Sequence, residues 1–191
     1  MSLPEGSVIG TGSDRRKIQL KRVRPDLQFK NIRGNIETRI NKLGKEGYDA
    51  IVLSVAALIR LNKSSIVSEF LEVNDFIPAP CQGALGVECR ADDGETIGIL
   101  KKIDNPEIRI CVDAERTFIS TLGMGCHTPV GALAVANSGG IFFRAFAGSD
   151  ECGIMKKAIQ SSRSNISNAV RQLALQFKMN INRKIAQKGT K

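Results

Sequence analysis

The sequence predicts a parallel α/β domain followed by a smaller α+β domain. In residues 1–77, three short apolar stretches ("SVIGTGS", "LQFKNIRG" and "YDAIVLS") alternate with three stretches of helical pattern. Such alternation is typical of a parallel sheet with crossover helices. "YDAIVLS" is nearly continuous in apolar residues, as expected for a strand covered on both faces. From residue 104 the pattern becomes helix, three strands, helix, which predicts a three-stranded sheet with helices.

Each helix of the first domain follows its strand directly. "DRRKIQLKRV" is predicted to be helical as far as Pro25, which cannot continue a helix. "NIETRINKLGKEG" begins at Asn35, a plausible N-cap, and carries Ile36, Ile40 and Leu43 on one face. "VAALIRL" is the third helix candidate.

Residues 78–103 break this alternation. Pro78 and Pro80 indicate a linker. "ALGVEC" is predicted to be a buried strand, and "ETIGILKKI" a short helix.

The second domain opens with a strong helix signal. Asn105 suits an N-cap, Pro106 suits the first helical position, and apolar residues recur at helical spacing as far as Gly123. "VGALAVANSGGIFFRAFAG" predicts a hairpin, and "ECGIMKKAIQ" a third strand. "NISNAVRQLALQF" predicts an amphipathic helix, and the basic tail after Lys178 is expected to fray. The helix is expected to turn these side chains inward: Ile166, Val170, Leu173 and Phe177.

Composition narrows the classes of partner. The 191 residues carry 28 Lys and Arg against 19 Asp and Glu, a net charge of +9, which favours anionic partners. With one Tyr and no Trp, side chains that could stack on nucleic-acid bases are scarce. The sequence contains no run of about 20 apolar residues, so no membrane span is predicted. It also shows no export signal.

The cysteine pattern predicts a reducing, cytoplasmic environment. The chain has five cysteines and no Cys-x-x-Cys pair. We therefore expect neither a zinc or other metal site nor a disulfide framework.

Two sets of basic residues are candidates for an anion site. The "GTGSDRR" turn places Thr11 and Ser13 between a strand and a helix, followed by Arg15 and Arg16. Two cations in a first helical turn oppose the helix dipole unless an anion joins them, although solvated surface arginines are an equally good interpretation. Further along the chain, Arg33 and Arg39 flank the start of the next helix; arginine can clamp a carboxylate with two parallel hydrogen bonds, and a solvated helix face is the alternative.

The loop "TLGMGCHTPVG" contains a candidate reactive group, Cys126. Most free cysteines are small buried hydrophobes. A loop cysteine flanked by glycines and a proline can instead be a nucleophile or an attachment point. The adjacent His127 is the only histidine, and a structural role is expected for it.

Five motifs in one order resemble the porphobilinogen deaminase family. They are "GTGSDRRKIQL", "IRGNIETRINKL", "YDAIVLSVAALIRL", "PAPCQGALGVECR" and "AERTFISTLGMGCHTPVGA". The resemblance implies an enzyme that joins four porphobilinogen units head to tail with loss of ammonia, on a dipyrromethane cofactor held through a thioether, in haem and tetrapyrrole biosynthesis. It implies that Cys126 carries the cofactor. The implied binding residues are Thr11, Ser13, Arg15, Arg16, Arg33, Arg39 and Gln82, with Ala56 and Arg60 in the stretch after the third strand.

The resemblance also implies a division of labour along the chain. Residues 1–77 correspond to the family's second domain, which is like a periplasmic binding protein domain, and 104–191 to its third, which carries the cofactor cysteine. Residues 78–103 look like the piece that completes the first domain. The family's catalytic aspartate lies in that first domain, so we assign no catalytic residue here.

Four expectations follow for this polypeptide. It should be inactive alone, Cys126 should be a free thiol without cofactor, and the orphan "ALGVEC" strand should either promote self-association or be disordered. The full-length enzyme should be a monomer that binds neither nucleic acid nor membrane.

The sequence departs from the family pattern at two positions, and two other functions remain as alternatives. Cys81 stands where the family commonly has glycine, and Met124 replaces a glycine next to the cofactor loop. From charge alone, a nucleic-acid-binding module is an alternative, to be recognised by steep salt dependence. A hinged two-domain protein that binds a small anion is the other, and it would not need Cys126.

Overall fold

A computed structural model describes residues 2–123, 129–149 and 153–188, and the chain divides into two units, Met1–Phe76 and Ile77–Lys191. The predicted cofactor cysteine, Cys126, lies outside the described residues, as do Met124 and His127.

A small parallel sheet forms the centre of the first unit. Its strands are β1 (Val8–Gly10), β2 (Gln28–Lys30) and β3 (Ala50–Ile51), in the order β2-β1-β3. The central residue Ile9 pairs with Phe29 on one side and Ala50 on the other. The predicted parallel α/β arrangement is therefore confirmed for this unit.

The helices of the first unit follow the strands as predicted. They are α1 (Asp14–Val23), α2 (Ile36–Lys42) and α3 (Val55–Arg60), with a 3-10 helix at Ser64–Ile66. The side chains of Ser13 and Asn35 cap α1 and α2 by accepting hydrogen bonds from the N–H groups of Arg16 and Thr38. No residue of α2 is fully buried, and Ile36 at its start lines a cavity.

The second unit is an antiparallel sheet covered by two long helices. Strands β4 (Val130–Asn137), β5 (Gly140–Ser149) and β6 (Gly153–Ser161) lie in the order β4-β5-β6. Helices α5 (Pro106–Leu122) and α6 (Ile166–Lys188) pack on one face of this sheet. The core centres on three fully buried rings, with Phe118 lying 5.6 Å from Phe143 and 5.3 Å from Phe177 between ring centroids.

Local signals in the second unit are largely confirmed. Asn105 caps α5, and Gly123 ends it in the left-handed conformation (φ 58°). The predicted hairpin turn is present, and Gly140 there has a φ of 116°. A β-carbon at Gly140 would meet the Ser161 carbonyl oxygen, so only glycine fits.

The predicted fraying after Lys178 is wrong. Helix α6 continues to Lys188, and Ile181 is 1% exposed. Ile181 lies four residues after Phe177, so it extends the buried stripe by another turn, and this packing holds the helix together.

The predicted buried strand at residues 84–89 is also wrong. These residues form no regular secondary structure, and Leu85 and Val87 are 81% and 60% exposed. A strand needs a partner for its backbone hydrogen bonds, and the described part of the chain supplies none there. The short helix predicted after it is present as α4 (Gly94–Leu100).

Among the described residues, no helix is long and apolar enough to cross a membrane.

Candidate functional site

The carboxyl ends of the three parallel strands gather the candidate residues of the first unit at one edge. Residues 11–13 follow β1, residues 31–35 follow β2, and residues 52–54 follow β3, each leading into a helix. Because parallel strands end at the same edge of a sheet, ligands of open α/β sheets bind there.

The first loop is built by its own hydroxyl groups. Thr11 is 1% exposed; its N–H donates to the Lys30 carbonyl, and its hydroxyl accepts from the Ser13 N–H (3.2 Å). Ser13 in turn accepts from the Arg16 N–H (3.4 Å). This chain of short-range bonds fixes the start of α1 and therefore where Arg15 and Arg16 leave the backbone.

Three guanidinium groups are crowded at this edge. Burial, and next the charge of Arg16, lower the pKa of Arg15 to about 10. Burial also lowers the pKa of Arg16, and the charge of Arg39 lowers it further. Like charges that are partly removed from water repel one another, so a bound anion would stabilise the charged forms of these side chains.

Backbone carbonyls hold two of these arginines in place. Arg16 donates to the Val52 carbonyl (2.7 Å), at the end of β3, and Arg39 donates to the Gly34 carbonyl (2.7 Å). These bonds orient both side chains without neutralising their charge, because the acceptors are carbonyl groups and not carboxylates. Each guanidinium keeps further N–H groups that could donate to a ligand.

Arg16 and Arg39 line one cavity of about 480 Å³. Its wall is otherwise made by the start of α2, residues 53–54 and α3. The lining residues are Arg16, Gly34, Asn35, Ile36, Glu37, Arg39, Leu53, Ser54, Ala57 and Leu61. A cavity of this size with apolar walls and converging cations suits an organic anion of several rings or carboxylates.

Other predicted residues lie further from this cavity. Arg33, Ala56 and Arg60 are exposed and do not line it, although Ala57, next to Ala56, does. Sequence reasoning missed Ser54. It precedes α3, its side chain makes no capping hydrogen bond, and it lines the cavity. The sequence signal that could have identified Ser54 is its position: like Ser13, it lies between a strand and the helix that follows.

Gln82 belongs to the second unit. It is exposed and lines a groove of about 300 Å³ between residues 78–84, the first half of α5, and β4. Residue Cys81 beside it has a φ of 62°, a conformation that glycine adopts freely and cysteine rarely. Burial, and next the charge of Glu115, raise the pKa of the Cys81 thiol, so it is a poor nucleophile at neutral pH.

Family models match most of the chain. Residues 1–98 match "Porphobilinogen deaminase, dipyromethane cofactor binding domain", and residues 109–176 match "Porphobilinogen deaminase, C-terminal domain".

Curated relatives give the same result. Proteins named porphobilinogen deaminase are 47% identical over 140 residues in Acidothermus cellulolyticus, 48% over 132 in Brevibacillus brevis and 43% over 159 in a Roseiflexus species. These alignments cover 71%, 69% and 83% of this chain and 42%, 43% and 52% of the respective relatives. The chain thus spans about half the length of the curated relatives that it matches.

Proposed function

The chain belongs to the porphobilinogen deaminase family, and we propose that it supplies the cofactor-binding part of a hydroxymethylbilane synthase. The proposed reaction is the stepwise head-to-tail condensation of four porphobilinogen molecules with loss of ammonia, in tetrapyrrole biosynthesis. The resemblance of its five motifs to this family is confirmed.

The observation that carries the proposal is that Arg16 and Arg39 line one cavity at the carboxyl edge of the parallel sheet. Each pyrrole ring of the substrate and product bears an acetate and a propionate. A growing chain therefore brings many carboxylates to one place, and these two arginines offer guanidinium groups in a cavity of about 480 Å³. The lowered pKa values of Arg15 and Arg16 indicate that a bound anion would stabilise their charged forms.

The residues of the first unit fit a dipyrromethane bearing carboxylates. Arg16 and Arg39 would hold carboxylates, and Ser54, which lines the same cavity, would add a hydroxyl group. The Thr11–Ser13 loop would contribute by fixing the start of α1, since its Thr11 and Ser13 N–H groups already donate within the protein. The apolar walls that Ile36, Leu53 and Ala57 contribute suit pyrrole rings. When bound, the cofactor supplies the nucleophilic pyrrole carbon on which the chain grows. The protein's contribution is to hold chain end and substrate together, which raises their effective concentration.

We further propose roles by domain. Residues 1–77 form the periplasmic-binding-protein-like second domain of the family, 78–103 contribute to its first domain, and 104–191 form the third. Cys126 is the thioether anchor, and Gln82, Arg33, Ala56 and Arg60 complete the binding set. We place the reaction in the cytoplasm; the free state of Cys81, Cys89 and Cys111 supports a reducing location.

Binding of porphobilinogen to the purified chain tests this proposal. Arg16→Ala should weaken binding measured by calorimetry at least about tenfold, because a hydrogen bond between charged groups contributes about 1.5–3 kcal/mol. Arg22→Ala is the matched control, since Arg22 is exposed at the far end of α1, and it should change the affinity less than about twofold at moderate salt.

Two results would contradict the proposal. One is equal binding by the wild type and Arg16→Ala. The other is binding of inorganic phosphate as tight as that of porphobilinogen, which would favour a general anion-binding protein.

A further inference from the structure

We propose that Glu115 is a positioning residue whose carboxylate holds the turn carrying Gln82 against α5 and the edge of β4. This inference deepens the proposed function, since it depends on Gln82 contributing to the binding of the pyrrole chain. It concerns the second unit alone.

Glu115 occupies a position where a charged side chain is costly. It lies on the same side of α5 as Phe118 and Leu122 and is only 6% exposed. Leucine there would continue the apolar stripe without any desolvation cost. A carboxylate at such a position therefore calls for a specific role.

The carboxylate joins two separate segments. One oxygen accepts from the Ala134 N–H of the edge strand β4 (2.8 Å), and the other accepts from the Cys81 N–H (2.5 Å). Burial raises the pKa of Glu115, while these two N–H groups act in the opposite direction by stabilising the ionised form. Both bonds are charge-assisted when Glu115 is ionised, and such bonds are about twice as strong as neutral ones.

The segment before Gln82 is attached to the same edge at further points. The Pro78 carbonyl accepts from the Ala132 N–H (3.2 Å), and the Cys81 thiol lies 3.9 Å from the Val112 carbonyl, one turn before Glu115 on α5. Residues 78–81 thus lie along the free edge of β4, and the Glu115 carboxylate holds the N–H of Cys81, the residue before Gln82.

The backbone at the attachment point is strained. Cys81 is in the left-handed conformation, which costs a residue with a β-carbon about 1–2 kcal/mol. Such a conformation persists only where its surroundings enforce it, and strained residues concentrate at functional sites. The N–H of this strained residue is the group that Glu115 holds, so the carboxylate fixes the backbone immediately before Gln82.

A carboxylate can accept hydrogen bonds from the Cys81 and Ala134 N–H groups at the same time. Two backbone donors face it, and its two oxygens accept from both. Glutamine would offer one oxygen and turn an N–H group toward the other donor, and alanine would leave both donors without their acceptor. We therefore expect the turn to loosen partly in Glu115→Gln and more in Glu115→Ala.

Amide hydrogen exchange on the full chain provides the first arm of the test. In Glu115→Ala, protection of the Cys81 amide should fall at least about tenfold, the factor for one lost bond to a charged group, relative to amides in the core of α6. Asp113→Ala is the matched control, because Asp113 is an exposed carboxylate on the same helix, and it should leave the Cys81 amide unchanged. Unchanged protection in Glu115→Ala would overturn the proposal. If Glu115→Ala does not fold, Glu115→Gln carries the same test with a smaller expected loss.

Coupling to Gln82 in porphobilinogen binding is the second arm, and a purely structural role would not produce it. Glu115→Gln and Gln82→Ala should each weaken binding several-fold, and the double variant should be no weaker than Gln82→Ala alone. If Glu115→Gln still weakens porphobilinogen binding in the Gln82→Ala background, so that the two effects add, the positioning role is overturned.

The two arms separate this inference from the proposed function. If porphobilinogen does not bind the wild type, the proposed function fails, and the positioning of Gln82 for that ligand fails with it. Exchange at Cys81 would still report whether Glu115 holds the turn. If Arg16→Ala weakens binding and Gln82→Ala does not, the proposed function stands and this inference is overturned.

Discussion

At the scale of single residues, the molecule places costly groups where a ligand or a turn needs them. Burial lowers the pKa values of Arg15 and Arg16, and the charges of Arg16 and Arg39, respectively, lower them further. Cys81 adopts a left-handed backbone without being glycine. Arg15, Arg16 and Cys81 each depart from what local stability favours, and each lies in a segment that we propose contributes to ligand binding.

The strain at Cys81 leads to a prediction for the unfolding free energy. Cys81→Gly should be more stable than Cys81→Ala by about 1 kcal/mol, because glycine has no β-carbon to strain at positive φ. At an ordinary position alanine would instead be favoured by about 0.5–1 kcal/mol. Urea denaturation of both variants measures the difference. A more stable alanine variant would show that the backbone at residue 81 carries no such strain.

At the scale of elements, the ends of the helices decide where the site residues lie. Ser13 caps the helix that carries Arg15 and Arg16, and Asn35 caps the helix that carries Arg39. In the second unit, Asn105 and Pro106 start α5, which carries Glu115. Capping therefore positions the proposed site residues, because a shifted helix start would rotate the side chains that follow it.

Helix α5 allows a direct test of capping. The Asn105 side chain accepts from the Glu107 and Ile108 N–H groups (3.0 and 3.1 Å). Asn105→Ala should lower the free energy of unfolding by about 1 kcal/mol, as for other lost caps. Asn105→Asp keeps the acceptor and is the control, with a loss of less than about half that size. Circular dichroism during urea denaturation measures both, and an alanine variant as stable as the wild type would exclude a capping role.

At the scale of the whole molecule, two units with separate cores are joined in one chain. The first has short strands and a cavity at its sheet edge, and the second has two long helices on an antiparallel sheet. The segment 84–103 exposes Leu85, Val87, Ile99 and Ile103. An exposed apolar segment of this kind suits burial against further protein, in keeping with the proposal that it contributes to another domain.

The proposed division of labour predicts the behaviour of the 191-residue polypeptide. The resemblance implies that the family's catalytic aspartate lies in its first domain. On the proposed assignment, the purified 191-residue polypeptide should therefore release no ammonia from porphobilinogen above the uncatalysed rate. An intact mass is the control, and it should show Cys126 without added pyrrole units. Ammonia release that saturates with porphobilinogen would contradict the assignment of catalysis to that domain.

The order and type of most elements follow from local patterns in the sequence. Alternating apolar stretches, caps at Asn35 and Asn105, and the stripe on α6 act through neighbours a few residues away, so their signals are local. The sequence also predicted Arg15, Arg16 and Arg39 as candidate binding residues, because the motifs that contain them are short and contiguous.

Features that depend on contacts between residues far apart in the sequence are visible only in the folded chain. The "ALGVEC" stretch has the composition of a strand, but strand formation needs another strand, and the described chain offers none. Helix α6 outlasts its predicted end because Ile181 finds a place in the core. Helical spacing grouped Glu115 with its apolar neighbours; that its carboxylate bonds Cys81 and Ala134, 34 and 19 residues away, follows from packing that no local pattern records.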